Sequence, residues 1–254
     1  MTKLTFLGTG TSQGVPMIGC GCKVCKSNDP KDNRLRASVY VEHKGVRILV
    51  DAGPDFRQQM LRKGISGVDA ILLTHSHKDH VGGLDDIRAF NYHEKKATQI
   101  YCEKRVEDAL RMEYAYAFAQ NKYPGAPEWN VNIIDENPFI INGVEIVPIR
   151  GLHYRLPVLG YRFGNIAYCT DMNFIAENEF SKLHGLDHFI INCVRRGKHI
   201  SHYSLEEAVE VAHKVGARHT WITHLSHQLP CHQELTEELP ENIAPAYDGL
   251  ELES

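Results

Sequence analysis

Nothing in this sequence is suited to crossing a membrane, and little in it is suited to a long polyanion. No apolar run approaches the ~20 residues that a bilayer-spanning helix needs. Met1 to Gly10 lacks the basic-then-apolar layout of a signal peptide. The net charge is -4 with the histidines neutral. That argues against a long nucleic acid as ligand, because such binding rests on phosphate neutralisation by basic side chains. No low-complexity stretch or linker divides the 254 residues, so residues 1–254 are read as one domain. The cytoplasm is the default location, with no membrane partner expected.

Histidine is the residue in excess, at 15 copies beside seven cysteines. Histidine is the commonest side-chain ligand for metals. Three cysteines crowd into Cys20-Gly21-Cys22-Lys23-Val24-Cys25. In a reducing compartment that spacing favours metal over disulfides.

Apolar periodicity predicts a first strand at Leu4 to Leu7 and a long irregular loop from Val15 to Asn33. Strands are predicted at Ser38 to Glu42 and Arg47 to Val50, then a helix over Asp55 to Lys63. A short apolar strand, Val68 to Leu73, runs into Thr74-His75-Ser76-His77-Lys78-Asp79-His80. Helices are expected at Leu84 to Tyr92 and at Glu103 to Asn121, where Val106, Leu110, Tyr114 and Phe118 share a face. Core is the commonest role for such aromatics, and pocket wall or dimer surface are the other readings of the Glu103–Trp129 segment.

The second half reads as strands at Val144 to Ile149, Val158 to Phe163, Ile166 to Cys169, Phe189 to Asn192 and Thr220 to Thr223. Leu205 to Val215 is the clearest helix, opened by a capping-box pattern at Ser204-Leu205-Glu206-Glu207. The acidic tail after Glu237 reads as a solvated end. Layers of βα units, helices outside and sheets inside, are the expected architecture.

His75-x-His77-x-Asp79-His80 is the strongest chemical signal. Two histidines at i and i+2 of extended chain point the same way, and four ligands in six residues can serve two neighbouring metals. His153, Asp171 and His224 follow later strand ends. Together these segments describe one rim, with Asp171 placed to bridge two cations about 3.5–4 Å apart, the spacing used for displacement at phosphorus.

HxHxDH followed by single His, Asp and His resembles the metallo-β-lactamase superfamily. The opening Thr5-Phe6-Leu7-Gly8-Thr9-Gly10-Thr11-Ser12 is similar to that of its phosphodiesterase branch. The resemblance covers essentially the whole chain and implies an α/β fold, an αββα four-layer sandwich. It also implies that His75, His77 and His153 hold one metal and that Asp79, His80 and His224 hold the other, with Asp171 between. Asp51 matches a superfamily position expected to support the histidine loop by hydrogen bonds.

The cysteines offer three thiolates, and structural zinc wants four N or S ligands. His227 is the expected fourth, with Cys231 and His232 as competitors. Cys102, Cys169 and Cys193 read as buried small hydrophobes. HxHxDH combined with CxCx2C and a later HLxH resembles the phosphoribosyl cyclic phosphodiesterase subgroup of the carbon–phosphorus lyase pathway. Pyrroloquinoline quinone biosynthesis protein B has a related cysteine loop.

Hydrolysis of a small cyclic or nucleotide-like phosphodiester is therefore the expected function. Two divalent ions, Mn2+ or Zn2+, would activate water, and one structural Zn2+ would sit at the cysteines. The resemblance leans towards manganese at the active site. Asp79 is a catalytic candidate together with His202, which precedes a helix start, resembles the histidine of the phosphodiesterase HxS/T motif and is the proposed proton donor. Arg34, Arg36, Arg195 and Arg196 are open as contacts to a second phosphate. Three alternatives stand beside this: a carbon ester, thioester or lactone hydrolase; a transfer RNA 3′-processing endonuclease; and a noncatalytic biosynthetic accessory protein. A homodimer is compatible with the sequence.

Overall fold

The computed structural model describes all 254 residues. Six strands build most of a first sheet: β1 (Thr2–Gly8), β2 (Ser38–His43), β3 (Val46–Val50), β4 (Ala70–Leu72), β5 (Thr98–Cys102) and β6 (Trp129–Ile133). A second sheet takes β7 (Phe139–Ile141), β8 (Val144–His153), β9 (Leu156–Phe163), β10 (Ile166–Cys169), β11 (Phe174–Ile175), β12 (His188–Asn192), β13 (His219–Thr223) and β14 (Ile243–Pro245). The last strand, β15 (Glu251–Glu253), returns to the first sheet beside β1. The order is β15-β1-β2-β3-β4-β5-β6 in one sheet and β11-β8-β9-β10-β12-β13-β14 in the other, with β7 paired to β8.

Central strands are apolar on both sides. Ile48, Leu49 and Val50 are all fully buried, as are Ala70, Ile71 and Leu72. Alternation then sorts them by layer. Ile48 and Val50 pack with Leu4, Val41, Leu159 and Tyr168 between the sheets. Leu49 and Ile71 face outward to Phe56, Met60, Phe90 and Leu110. On the far side Ala167, Phe189 and Ile191 meet Leu205, Ala208 and Ala212. Helices α1 (Phe56–Lys63), α3 (Arg88–Glu94) and α4 (Lys104–Glu113) cover the first sheet, and α6 (Leu205–Val215) and α7 (His232–Glu238) cover the second. Single turns α2 (Lys78–Val81) and α5 (Ala115–Phe118) complete the helices. The result is the αββα sandwich that the sequence led us to expect.

Three local expectations are corrected. The segment Glu103 to Asn121 is not one helix, because α4 ends at Glu113. Tyr114 turns inward there, its hydroxyl donating to Val81 O at 2.8 Å. Tyr114 is core and Phe118 packs at the core edge, while Tyr116 and Tyr123 stay exposed. Leu84 to Tyr92 begins as a 3-10 turn before becoming α3. The tail after Glu237 is not a solvated end. It supplies β14 and β15, buries Ala246 and Leu252, and sends Asp248 back to accept from Leu35 N at 2.9 Å.

Candidate metal centre

The carboxyl ends of β3, β4, β8, β10 and β13 open onto one rim of the sandwich, where α/β sheets characteristically hold ligands. Asp51 follows β3, and the His75–His80 segment follows β4 and turns through α2. His153 ends β8, which runs four residues beyond the predicted Ile149 boundary. Asp171 lies just past β10 and His224 just past β13. Asp51, Asp171 and His224 have φ of 62°, 57° and 56°. That left-handed backbone is costly for residues with a Cβ and clusters at functional sites.

Tyr161 ties the two sheets together beneath the rim, its hydroxyl donating to Leu73 O at 2.7 Å. The Asp51 loop is pressed against the histidine loop. Ala52 N donates to His80 O at 2.8 Å, and a Cβ on Gly53 would lie 2.0 Å from Asp79 O. Only glycine permits that approach.

The side chains converge in two groups that share one carboxylate. His75, His77, His153 and Asp171 form one, and Asp79, His80, Asp171 and His224 form the other. Within each group the donor atoms lie within 4.8 Å of one another. Several rings are oriented from behind through Nδ1: His80 by Asp51 Oδ2 at 2.6 Å, His75 by Thr74 Oγ1 at 2.9 Å, His153 by Ser201 O at 2.9 Å. Asp51 also accepts from Thr74 N at 2.9 Å and from the Thr74 hydroxyl at 2.8 Å. Its expected supporting position is where the structure puts it.

The Nε2 atoms of His75, His80 and His224 are buried without a hydrogen-bond partner. They face carboxylate oxygens instead: His224 Nε2 to Asp171 at 2.9 Å, His80 Nε2 to Asp171 at 3.2 Å and His75 Nε2 to Asp171 at 3.6 Å. Burial opposes charge on His80, but Asp171, Asp79 and Asp51 outweigh it and hold its pKa well above the ordinary value. The same contest takes His224 up to about 9. His75 goes the other way, held well below its ordinary value by burial and by His80. The carboxylates thus demand positive charge at the centre of the cluster. Imidazole and carboxylate donors aimed inward at that point fit divalent cations.

His202 sits on the open side. Its ring lies 4.6 Å from His153, 4.9 Å from His224 and 5.0 Å from His199. Burial and His224 lower its pKa to about 3, so it is neutral in the protein alone. Tyr203 N donates to Met172 O at 2.9 Å, which fixes the His202 loop to the Asp171 turn.

Sequence reasoning missed Asn192. Its amide accepts from Met172 N at 2.7 Å and donates to Met172 O at 2.9 Å, pinning the residue after Asp171. The one signal was a polar residue closing an otherwise apolar strand.

Cys20, Cys22, Cys25 and His227 make a third donor group on the same scale. His227 Nδ1 lies 3.3 Å from Cys20 Sγ and 3.5 Å from Cys22 Sγ. The Cys22 thiol is lowered to about 6 by the Cys25 N–H and by His227. Of the three candidates for a fourth ligand, only His227 groups with the cysteines; Cys231 caps α7, and the His232 ring lies against Arg34, with Nδ1 3.5 Å from its guanidinium. Cys102, Cys169 and Cys193 are buried in apolar surroundings, as expected.

A family model described as the beta-lactamase superfamily domain matches residues 46–225. A crystal structure of a diphosphatase from the PhnP family is 39% identical, covers 99% of this chain and 96% of its own, and superposes with a TM-score of 0.93. An octanoyltransferase of Porphyromonas gingivalis is 44% identical over 98% of this chain but only 51% of its own length. Coenzyme PQQ synthesis protein B of Xanthomonas oryzae is 26% identical over 58% of this chain and 50% of its own. The chain spans about half the length of these curated relatives. No helix is long and apolar enough to cross a membrane. Family match, fold and clustered His/Asp donors together support a metal-dependent hydrolase, and the chain belongs to the metallo-β-lactamase superfamily, beside the PhnP family.

Proposed function

We propose that this protein hydrolyses a small phosphodiester at the rim where the two His/Asp groups share Asp171. The observation that carries the reading is that shared carboxylate, flanked by two sets of inward-facing imidazoles, with His202 beside it. His75, His77 and His153 would hold one divalent ion and Asp79, His80 and His224 a second, with Asp171 common to both. Two such ions would lower the pKa of water and neutralise charge on phosphoryl oxygens. Manganese or zinc suits these donors. Cys20, Cys22, Cys25 and His227 would hold one structural zinc.

The chain's own groups then have distinct tasks. Asp51, Thr74 and Ser201 keep Nδ1 of the ligand rings engaged, so Nε2 faces inward. Asp79 is held ionised; burial opposes its charge, but His80 and His224 win and lower its pKa. His202 is the proton donor to the departing oxygen. Its neighbours disfavour a charged ring, and the negative charge of a bound phosphodiester is what would raise its proton affinity. A deep, long groove for nucleic acid is not required by this reading; the substrate is small.

The match to half of a chain named octanoyltransferase favours one second reading, in which the bond cleaved is a carbon ester or thioester. Purified protein, stripped with chelator and reloaded separately with Mn2+ and Zn2+, should be assayed on bis(4-nitrophenyl) phosphate, an octanoyl thioester and a lactone. Metal-dependent turnover of the phosphodiester is expected. Turnover of the thioester alone would replace the first reading by the second.

A further inference from the structure

β3 and β10, which end at the histidine rim, begin at the opposite edge of the sandwich, and a second polar cavity opens there. β2 and β3 meet in the Lys44-Gly45 turn, and β9 and β10 meet in the Gly164-Asn165 turn. Both turns line a cavity of about 380 Å³, joined by Lys182 from the 3-10 segment Glu177–Leu183. No member of the His/Asp cluster or of the cysteine group reaches it.

The walls carry more positive than negative charge. Lys44, Arg162 and Lys182 are cationic, and Glu145 is the one acidic residue among the eight that line the cavity. Lys182 is already saturated: it donates to Glu136 O at 3.2 Å, Pro148 O at 3.0 Å and Glu179 Oε2 at 2.8 Å. Arg162 is not. Its Nε donates to Gly164 O at 2.7 Å, and its Nη1 to Lys182 O at 2.6 Å and His184 O at 2.9 Å. Those partners are all carbonyls, and Nη2 is left over. Burial lowers the Arg162 pKa, and no carboxylate lifts it.

The first sheet adds two more donors. Lys44 is exposed and its ammonium has no partner. His43 is only 4% exposed, and its Nδ1 is engaged by Thr2 Oγ1 at 2.7 Å. A neutral ring that accepts from the Thr2 hydroxyl carries its proton on Nε2. That ring edge faces Gly164, where a Cβ would lie 3.2 Å from Cε1 and 3.9 Å from Nε2. Burial, Lys44 and the N-terminal ammonium all disfavour charge on the ring. Arg162 Nη2, Lys44 Nζ and His43 Nε2 therefore border one cavity without an acceptor. An oxyanion would supply acceptor atoms and counter-charge together.

We propose that this cavity binds a phosphate group, free or as the monoester of a small metabolite, at a site separate from the histidine rim. The donors come from both sheets, and a tetrahedral anion offers acceptors out of one plane where a carboxylate does not. The inference stands apart from the hydrolytic reading, since it concerns binding alone.

The test is calorimetric titration of the metal-loaded protein with inorganic phosphate, glucose 6-phosphate and succinate at constant ionic strength. Phosphate can also meet divalent ions at the rim, so variants separate the two places. Wild-type protein should bind one equivalent that weakens about tenfold in Lys44→Glu and roughly 10–100-fold in Arg162→Gln, the worth of hydrogen bonds to a charged group. Lys122→Glu makes the same charge change at another exposed lysine and should leave that equivalent intact. Lys44 bonds to nothing through its side chain, so Lys44→Glu carries the test even where Arg162→Gln fails to fold. Glucose 6-phosphate uptake that is lost in Lys44→Glu identifies a monoester as ligand, and uptake of phosphate alone identifies the free anion. Identical phosphate isotherms for wild type and Lys44→Glu overturn the proposal. So does an equal loss in Lys122→Glu, which would report net charge only, and so does succinate held as tightly as phosphate.

Discussion

Replacing Asp51 by Asn changes one buried atom and should nonetheless disable the second half of the metal centre. The side chain is fully buried and accepts three hydrogen bonds. Asparagine keeps Oδ1 for Thr74 N, and the Thr74 hydroxyl can rotate to accept from the new amide. His80 has no such freedom. Its Nδ1–H would meet an N–H at 2.6 Å, so the ring must move its proton to Nε2, the atom that faces Asp171 and Asp79. A protonated Nε2 cannot ligate.

To ligate through Nε2, His80 must instead set its Nδ1–H against the amide and forgo a hydrogen bond to a charged group, about 1.5–3 kcal/mol, or roughly 10–100-fold in affinity for one ion. That agrees with the usual effect of removing the group behind a ligating histidine. Affinity should be read by chelator competition and stoichiometry by elemental analysis, on wild type and Asp51→Asn. Melting of the metal-free variant should fall by no more than the loss of that one buried hydrogen bond implies, because the packing is unchanged. If the variant retains two tightly held ions at the His/Asp cluster, the tautomer argument is wrong.

Four further outcomes are expected. His202→Ala should lose about 10²–10⁴-fold in kcat with metal content unchanged; full activity would remove His202 from the mechanism. Cys22→Ser should lose one zinc equivalent and make the Val15–Asn33 loop sensitive to protease, with a lower Tm; unchanged zinc would exclude the cysteine site. Tyr161→Phe leaves Leu73 O without its buried donor, a cost of about 1–3 kcal/mol, visible as a fall in denaturation midpoint at constant slope. His232 is lowered to about 4, chiefly by burial and then by Arg34. Its folded value is depressed, so the unfolded chain takes the proton first and stability is lost as pH falls from about 6.5 towards 4. The Tm difference between wild type and His232→Gln should therefore change across that window, and a constant difference would refute the assignment.

The sandwich was legible because its central strands are buried on both faces and read as unbroken apolar runs at Ile48–Val50 and Ala70–Leu73. The site was legible because four of its residues lie within six positions, and the others close strands. What was hidden depends on tertiary pairing. Trp129–Ile133 is an edge strand with polar and exposed positions, and only its register with Thr98–Cys102 makes it a strand. In the tail, charged residues concealed the buried set Ile243, Ala246 and Leu252. Its Asp248 reads as solvent-seeking, yet it anchors Thr9 and Leu35. Helical spacing ran on past Glu113, and nothing local announced that Tyr114 would turn to cap Val81 O. Arg195 and Arg196 are neighbours in sequence, and only carboxylates contributed by α6 and α7 tell them apart.

Asp171 is shared by two donor groups whose other members come from both halves of the chain. The first sheet contributes His75 through His80, and the second contributes His153, Asp171 and His224. Neither half alone can therefore assemble a complete cage. Separately produced halves should each be inert, and activity should return only when the two are mixed and reassociate. The His/Asp donor cluster is thus a direct report on whether the two sheets have met.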